Sequence, residues 1–338
     1  MALFTGKVLR DLLPVFTNEC RFSPSPDWKN YFDTYDLGDI LSSYHVSVGL
    51  VESSEHQLAV YSYQQVQRPA AGTVTIVHGY MDHAGLYTKI IRQLLALNWN
   101  VLSYDLPGHG VSSGDAHAIL HFSEYALQLQ RVLNLIPHAD HGPMVLMGQS
   151  TGGAIILEHH RLYPQSDDSI LHRILLAPLV RPSEYRLIQA KYLLLKPFLN
   201  RVKRYHSDNS HDSAFLSFIR NEDPLQQQTV SVDWIGAMLE WVPLIEQSEV
   251  NEHPLTVIQG TADTTVDWQH NLSIISKIYP HSVVRLIDEG RHHLVNEADA
   301  WFMQVWEAVE VVLRQVESDW RQRGRLPPDK IRTNDGSE

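Results

Sequence analysis

The sequence predicts an α/β protein, with a mostly parallel sheet carrying helices on its faces. Short apolar runs alternate with amphipathic segments along most of the chain. A serine stands in a glycine-flanked turn between one such run and a helical pattern, and residues 181–250 interrupt the alternation with helical patterns alone.

Residues 1–43 read as an N-terminal extension. Within it Phe4, Val8 and Leu12, with Leu9, Leu13 and Phe16, recur at helical spacing, which suits docking on the domain or resting on a membrane surface. A polar, proline-containing stretch follows around Ser23 to Asp36. Two β-rich runs, Tyr44 to Val51 and Leu58 to Tyr63, predict an antiparallel edge. Six further strands are expected at Thr73 to His78, Asn100 to Asp105, Met144 to Gly148, Arg173 to Pro178, Leu255 to Gly260 and Ser282 to Asp288, giving a sheet of eight. The clearest helical pattern between them puts Phe122, Tyr125, Leu129 and Val132 on one face.

Residues 181–250 hold no strand-like run of comparable quality and are read as an inserted helical cap, an insertion that costs little chain entropy in a surface loop. The core then comprises residues 44–180 and 251–320, closed by a helix with Trp301, Val305, Ala308 and Val312 on one face. Residues 321–338 are polar, include Pro327 and Pro328, and are expected to be a disordered tail.

With 43% hydrophobic and 20% charged residues, the composition is that of a soluble globular protein, not of a fibrous repeat or a disulfide scaffold. A net charge of −12 repels a phosphate backbone on average, which disfavours nucleic acid as a partner. Cys20 is the sole cysteine, so no intrachain disulfide forms and a reducing, cytoplasmic location is expected. Lys7, Arg10 and Asp11 break the apolar character of the opening segment, against a secretory signal or a spanning helix.

The sharpest chemical signal is Gly148-Gln149-Ser150-Thr151-Gly152, directly after the strand Met144 to Met147 and before the helical run Ala154 to Tyr163. A strand that turns abruptly into a helix exposes its serine at the sheet's carboxyl edge, and the glycines leave room for the turn. The helix amino terminus behind Ser150 adds positive potential. The plain alternative is a glycine-rich turn; the flanking strand and helix favour a nucleophile. A serine hydroxyl needs a base, and the base needs a carboxylate to fix its tautomer. Asp263, immediately beyond the strand ending at Gly260, is the preferred acid, with Asp267 as its rival and helix capping as the alternative role of either. The loop after the last strand offers two adjacent bases, His292 and His293, between which spacing does not choose.

Four segments together resemble the α/β-hydrolases of the monoacylglycerol lipase and lysophospholipase group. They are His78-Gly79-Tyr80-Met81-Asp82-His83, Asp105-Leu106-Pro107-Gly108-His109-Gly110, the elbow around Ser150, and Gly260 to Asp263. The likeness covers about Tyr44 to Gln315 and implies an α/β-hydrolase fold with a helical cap. Aligned through Asn296 and Glu297, it implies His292 as the catalytic base, with His293 where relatives often carry glutamate. By position, the backbone amides of Tyr80 and Thr151 are expected to form the oxyanion hole, while His78, His83 and His109 orient the loops.

Other chemistries are weaker. Ser113 stands where a dinucleotide fingerprint starting at Gly108 needs its third glycine, Ala154 where a P-loop needs lysine, and no HExxH occurs. The pairs His159-His160 and His138 with His141 lack a ligand set, so neither cofactor nor metal is expected. The resemblance implies a serine esterase acting on monoacyl lipids, lysophospholipid or monoacylglycerol, through an acyl-enzyme on Ser150. Short-chain carboxylesterase, thioesterase or peptide cleavage on the same fold are the enzymatic rivals, and an inert binding protein the non-enzymatic one. Tyr192 to Leu195, Pro197 to Leu199, Trp234 and Trp241 are candidates for an apolar acyl lining or a membrane-facing lid, with packing inside the cap as the alternative.

Overall fold

The computed structural model describes residues 4–136, 142–165, 169–205 and 207–322. His138, His141 and nearly all of the expected tail lie outside the described residues.

Among the described residues ten strands form: β1 (His45–Ser53), β2 (His56–Gln64), β3 (Thr73–Val77), β4 (Asn100–Tyr104), β5 (Met144–Gln149), β6 (Ile170–Leu176), β7 (Arg201–Lys203), β8 (Thr229–Ser231), β9 (Leu255–Gly260) and β10 (Val283–Ile287). Eight of them make one sheet in the order β1-β2-β4-β3-β5-β6-β9-β10. Within this sheet β2 runs antiparallel to β1 and β4, and the other pairings are parallel. Because side chains alternate across a strand, each central strand feeds two cores. On β5, Val145 and Met147 enter one and Met144 and Leu146 the other. Each such aliphatic side chain, once buried, contributes roughly 1.5–3 kcal/mol.

The helices are α1 (Gly6–Asp11), α2 (Pro26–Thr34), α3 (Ile40–Ser43), α4 (Thr88–Ala96), α5 (Phe122–Leu133), α6 (Thr151–Leu162), α7 (Tyr185–Leu195), α8 (Ser213–Asn221), α9 (Val232–Glu246), α10 (Trp268–Ile278) and α11 (Asp299–Gln322). α4 and α11 cover one face with α1 and α2, whereas α5, α6, α9 and α10 cover the other.

Four expectations need revising. The stretch around Ser23 to Asp36 contains α2, capped by the Ser25 hydroxyl accepting from the Trp28 amide and started by Pro26. Its Trp28, Tyr31 and Phe32 are buried. α1 docks through Leu9 and the preceding Phe4, while Val8 and Leu12 of the expected face are exposed. Between β6 and β9 the chain also pairs β7 with β8, strands of three residues too short to leave a pattern. α11 runs to Gln322, two residues into the expected tail.

Parallel strands present their carboxyl ends to one edge, where ligands of open α/β sheets bind. β5 lies between β3 and β6, so its carboxyl end opens at the middle of that edge.

Candidate active site

Ser150 follows β5 directly and precedes the first residue of α6. Its backbone sits at φ 53° and ψ −114°, a region that costs a non-glycine residue about 1–3 kcal/mol. Ser150 N–H donates to Leu176 O at 2.8 Å, and Ser150 O accepts from Ala154 and Leu179 amides at 3.2 and 3.1 Å, so the strained turn is held from both sides. A side chain at Gly148 would strike the backbone of Gly152, and one at Gly152 the Val77 carbonyl. The two glycines are thus steric necessities of this elbow.

The loop after β10 brings His292 to Ser150, with Nε2 2.9 Å from the hydroxyl Oγ. On its other side His292 Nδ1 lies 2.7 Å from Asp263 Oδ2. A carboxylate only accepts, so Nδ1 carries the proton and Nε2 is left to accept from the serine. Asp263, on the loop after β9, also accepts from the Thr265 and Val266 amides at 2.8 and 3.2 Å and from Gln259 Nε2 at 3.0 Å. Burial opposes its charge, but the adjacent His292 ring, with the Gln259 and Thr265 donors, outweighs burial and holds the carboxyl below its ordinary value. The rival Asp267 caps α10, its side chain accepting from the His270 amide.

His293 faces away from Ser150: its Nε2 donates to Asp82 Oδ1 at 3.1 Å. The chain turns tightly at His293, where φ is −86° and ψ 69° and the Leu294 amide donates to His292 O at 3.0 Å, and one ring points to Ser150 and the other to the loop after β3. That loop carries Tyr80. Neither the Tyr80 amide nor that of Thr151, the first residue of α6, donates to a protein acceptor among the described residues. His78 Nδ1–H donates to Gly79 O at 2.8 Å while its Nε2 accepts from Leu106 N–H at 2.9 Å, which ties the loops after β3 and β4 together. Burial lowers its pKa, in keeping with this neutral tautomer. His109 and His117 stack with ring centroids 4.1 Å apart, and burial pushes His117 down to about 3. His83 instead donates to Asp223 Oδ2 at 3.0 Å, far along the chain in the 181–250 segment.

Two supporting groups were given no role by the sequence, although Glu297 served to align the histidine loop. Gln149 Nε2 donates to His292 O at 2.8 Å, fixing the backbone that carries this imidazole. Glu297, fully buried, accepts from the Arg291 and His211 amides, both at 2.7 Å, and so pins the start of the histidine loop. A buried amide beside the elbow and a buried acid downstream of the histidines are the only hints a sequence could offer. Trp234 stacks on the Tyr80 ring at 3.8 Å, whereas Trp241 packs on Phe122 and donates to Glu158, away from Ser150. The pair His159-His160 bonds to Gln130, Tyr279 and Asn251. Among the described residues, no three His, Cys, Asp or Glu side chains are grouped to hold a metal ion.

A serine in the turn after the central strand β5, a carboxylate after β9 and an imidazole after β10 make this the arrangement of the α/β-hydrolases, the class to which the fold assigns the chain. More narrowly, the chain belongs to the Hydrolase_4 family, described as "Serine aminopeptidase, S33", whose model matches residues 68–299. It is similar to a human monoglyceride lipase, 27% identical over 233 residues covering 66% of this chain and 76% of the relative. It is also similar to a phospholipase of Bacillus subtilis, 23% identical over 241 residues, covering 70% and 92%. A soluble variant of the Saccharomyces cerevisiae monoglyceride lipase, solved with a substrate analog, shares the fold with a TM-score of 0.68 at 18% identity, over 79% of this chain and 94% of that one.

Proposed function

We propose that the protein hydrolyses carboxylic esters of monoacyl lipids, lysophospholipid or monoacylglycerol, through an acyl-enzyme on Ser150. The observation that carries this reading is the unbroken contact from Ser150 Oγ through His292 to Asp263, at 2.9 and 2.7 Å. The relatives named as lipases and a phospholipase support the lipid substrate. In the first half-reaction His292 Nε2 takes the serine proton as Oγ attacks the ester carbonyl, and then returns it to the departing alcohol. The Tyr80 and Thr151 amides receive the developing oxyanion. Water repeats the steps on the acyl-enzyme and releases the fatty acid.

Asp263 holds the Nδ1–H tautomer and stabilises the imidazolium. Asp263→Asn keeps the shape but removes the charge and favours the wrong tautomer, so kcat is expected to fall about ten-thousandfold while the chain still folds, with a lowered melting temperature. Since the folded pKa of Asp263 lies below its unfolded value, its stabilising charge is present at neutral pH and is lost only as pH falls through the folded pKa. A loss of less than tenfold in steady-state kinetics at neutral pH would remove Asp263 from this role.

Residues 181–250 act in this reading as the cap over a core of residues 44–180 and 251–320. α7 contains no buried residue, and Leu193, Leu194 and Phe198 are 74%, 72% and 81% exposed. Residues 181–205 carry seven Lys and Arg against one acid, Glu184, in a chain of net charge −12. Four of these cations, Arg186, Lys191, Lys196 and Lys203, are exposed on the segment that carries the apolar tips, which suits peripheral contact with an anionic lipid surface, where each cation contributes about 1 kcal/mol. No described helix is long and apolar enough to cross a membrane. The lone cysteine, Cys20, is exposed and fits a reducing, cytoplasmic setting, which cell fractionation checks.

A panel of lysophospholipids, monoacylglycerols, simple esters, a thioester and an aminoacyl anilide tests the substrate class. Each methylene buried in the site is worth about 0.8 kcal/mol, so kcat/KM should climb by orders of magnitude from two-carbon to twelve-carbon acyl groups. Rates that peak at two carbons and vanish by twelve, or that favour the anilide, would overturn the lipid reading. On anionic vesicles Phe198→Asp should slow turnover several-fold while leaving that of a soluble ester unchanged.

A further inference from the structure

The pair of adjacent histidines serves two different parts of the site. His293 Nε2–H donates to Asp82 Oδ1 at 3.1 Å, and Tyr87 OH donates to Asp82 Oδ2 at 3.0 Å. The Tyr87 hydroxyl in turn accepts from the Gly79 amide at 3.0 Å. Gly79 O accepts twice, from the Asp82 amide at 3.2 Å and from His78 Nδ1 at 2.8 Å. These bonds clamp both peptide planes around Gly79. A trans peptide is planar, with its carbonyl and its amide pointing in opposite directions. Fixing Gly79 O therefore fixes the direction of the Tyr80 N–H, which belongs to the same peptide unit.

The clamp works against a strained backbone. Met81, between Tyr80 and Asp82, has φ 69°, the left-handed region that a non-glycine residue leaves when its surroundings permit. Asp82 is the anchor on the far side of this residue, and its carboxylate is nearly enclosed. Burial disfavours its charge, yet His293, His78 and the Tyr87 hydroxyl overcome that and hold the carboxyl well below its ordinary value. The His293 ring is itself held by its own amide donating to Asn209 O at 2.8 Å and by Phe215, 4.8 Å between ring centroids.

We infer that His293 and Asp82 form a positioning pair that aims the Tyr80 amide at the oxyanion and locks that amide to the loop carrying the catalytic base. The inference rests on the acyl-enzyme reading of Ser150. Neither residue touches substrate; the pair acts through the Gly79–Tyr80 peptide. Because His292 and His293 are consecutive, one loop position sets both the base and the oxyanion donor, and relative error between them is small.

The test uses the full chain and a long-chain alkyl trifluoromethyl ketone labelled with 13C at the carbonyl. Ser150 Oγ adds to the ketone carbon, the carbonyl π pair becomes an oxyanion, and the hydroxyl proton passes to His292. Carbon NMR then reads the pH at which the hemiketal oxygen ionises, and proton NMR reads the low-field His292–Asp263 proton. In His293→Leu, kcat should fall about tenfold to a hundredfold with KM nearly unchanged, and the hemiketal should stay protonated to higher pH. His293→Gln, whose amide can donate to Asp82, should recover most of both. Asp82→Asn gives an independent reading should His293→Leu fail to fold, and is expected to shift ionisation in the same direction. An ionisation unchanged in these variants overturns the positioning role, as does loss of the low-field His292 proton, which would signal collapse of the whole loop. A wild-type chain that forms no adduct on Ser150 overturns the acyl-enzyme reading itself.

Discussion

Ser150→Ala is expected to abolish ester turnover while the protein stays folded. In a serine triad the members act as a unit, and loss of the nucleophile alone lowers kcat about a million-fold, or about 8 kcal/mol of transition-state stabilisation. Little stability should be lost with it. The Cβ that must tolerate φ 53° is already present in serine, so alanine adds no new strain. The backbone bonds to Leu176, Ala154 and Leu179 do not involve the hydroxyl. The side chain's described contact is with His292 Nε2, which then faces water or substrate instead. Steady-state kinetics beside a thermal melt reads both quantities. Labelling by a fluorophosphonate, mapped to Ser150 in wild type and absent from the variant, separates a nucleophile from a structural serine. Unchanged hydrolysis in a folded Ser150→Ala protein would move the chemistry elsewhere.

What the sequence made legible is what backbone sterics force into composition. The elbow needs glycine at 148 and 152 because two strands and a helix close on those positions, and that demand is written in the residues themselves. The central strands of the main sheet were readable because runs such as Met144 to Met147 are buried on both faces and so are apolar throughout. α2 was missed although its signals are local: a serine cap, Pro26 at the start, and Trp28, Tyr31, Phe32 and Tyr35 at helical spacing. Its proline and charged residues made the stretch read only as polar and proline-containing, because the aromatic stripe is narrow. The β7–β8 pair could not be read, since three residues do not establish a period. Asp82 and Gln149 stand inside quoted motifs that gave them no role; their value lies in partners 211 and 143 residues away, and such pairings are fixed only by the finished fold. Asp263 and Asp267 were separable by distance from the strand end, and their contacts give them different work: one holds His292, the other caps a helix.

The second large effect divides the two histidines. His292→Ala removes the only imidazole within reach of Ser150 among the described residues, and its cost should match that of Ser150→Ala, about a million-fold in kcat. Combining the two should add almost nothing, because a serine without its base and a base without its serine fail at the same step. His293→Ala leaves the Ser150–His292–Asp263 contacts in place and removes only the donor to Asp82, so its cost should stay near the tenfold to hundredfold of a loosened oxyanion donor. The double substitution His292→Ala with His293→Ala should then be no worse than His292→Ala alone. Kinetics on one long-chain ester, with a melt to confirm folding, gives all four numbers. If His293→Ala lost more activity than His292→Ala, the ring that meets Ser150 in solution would be His293, and both the assignment of the base and the positioning role of its neighbour would exchange.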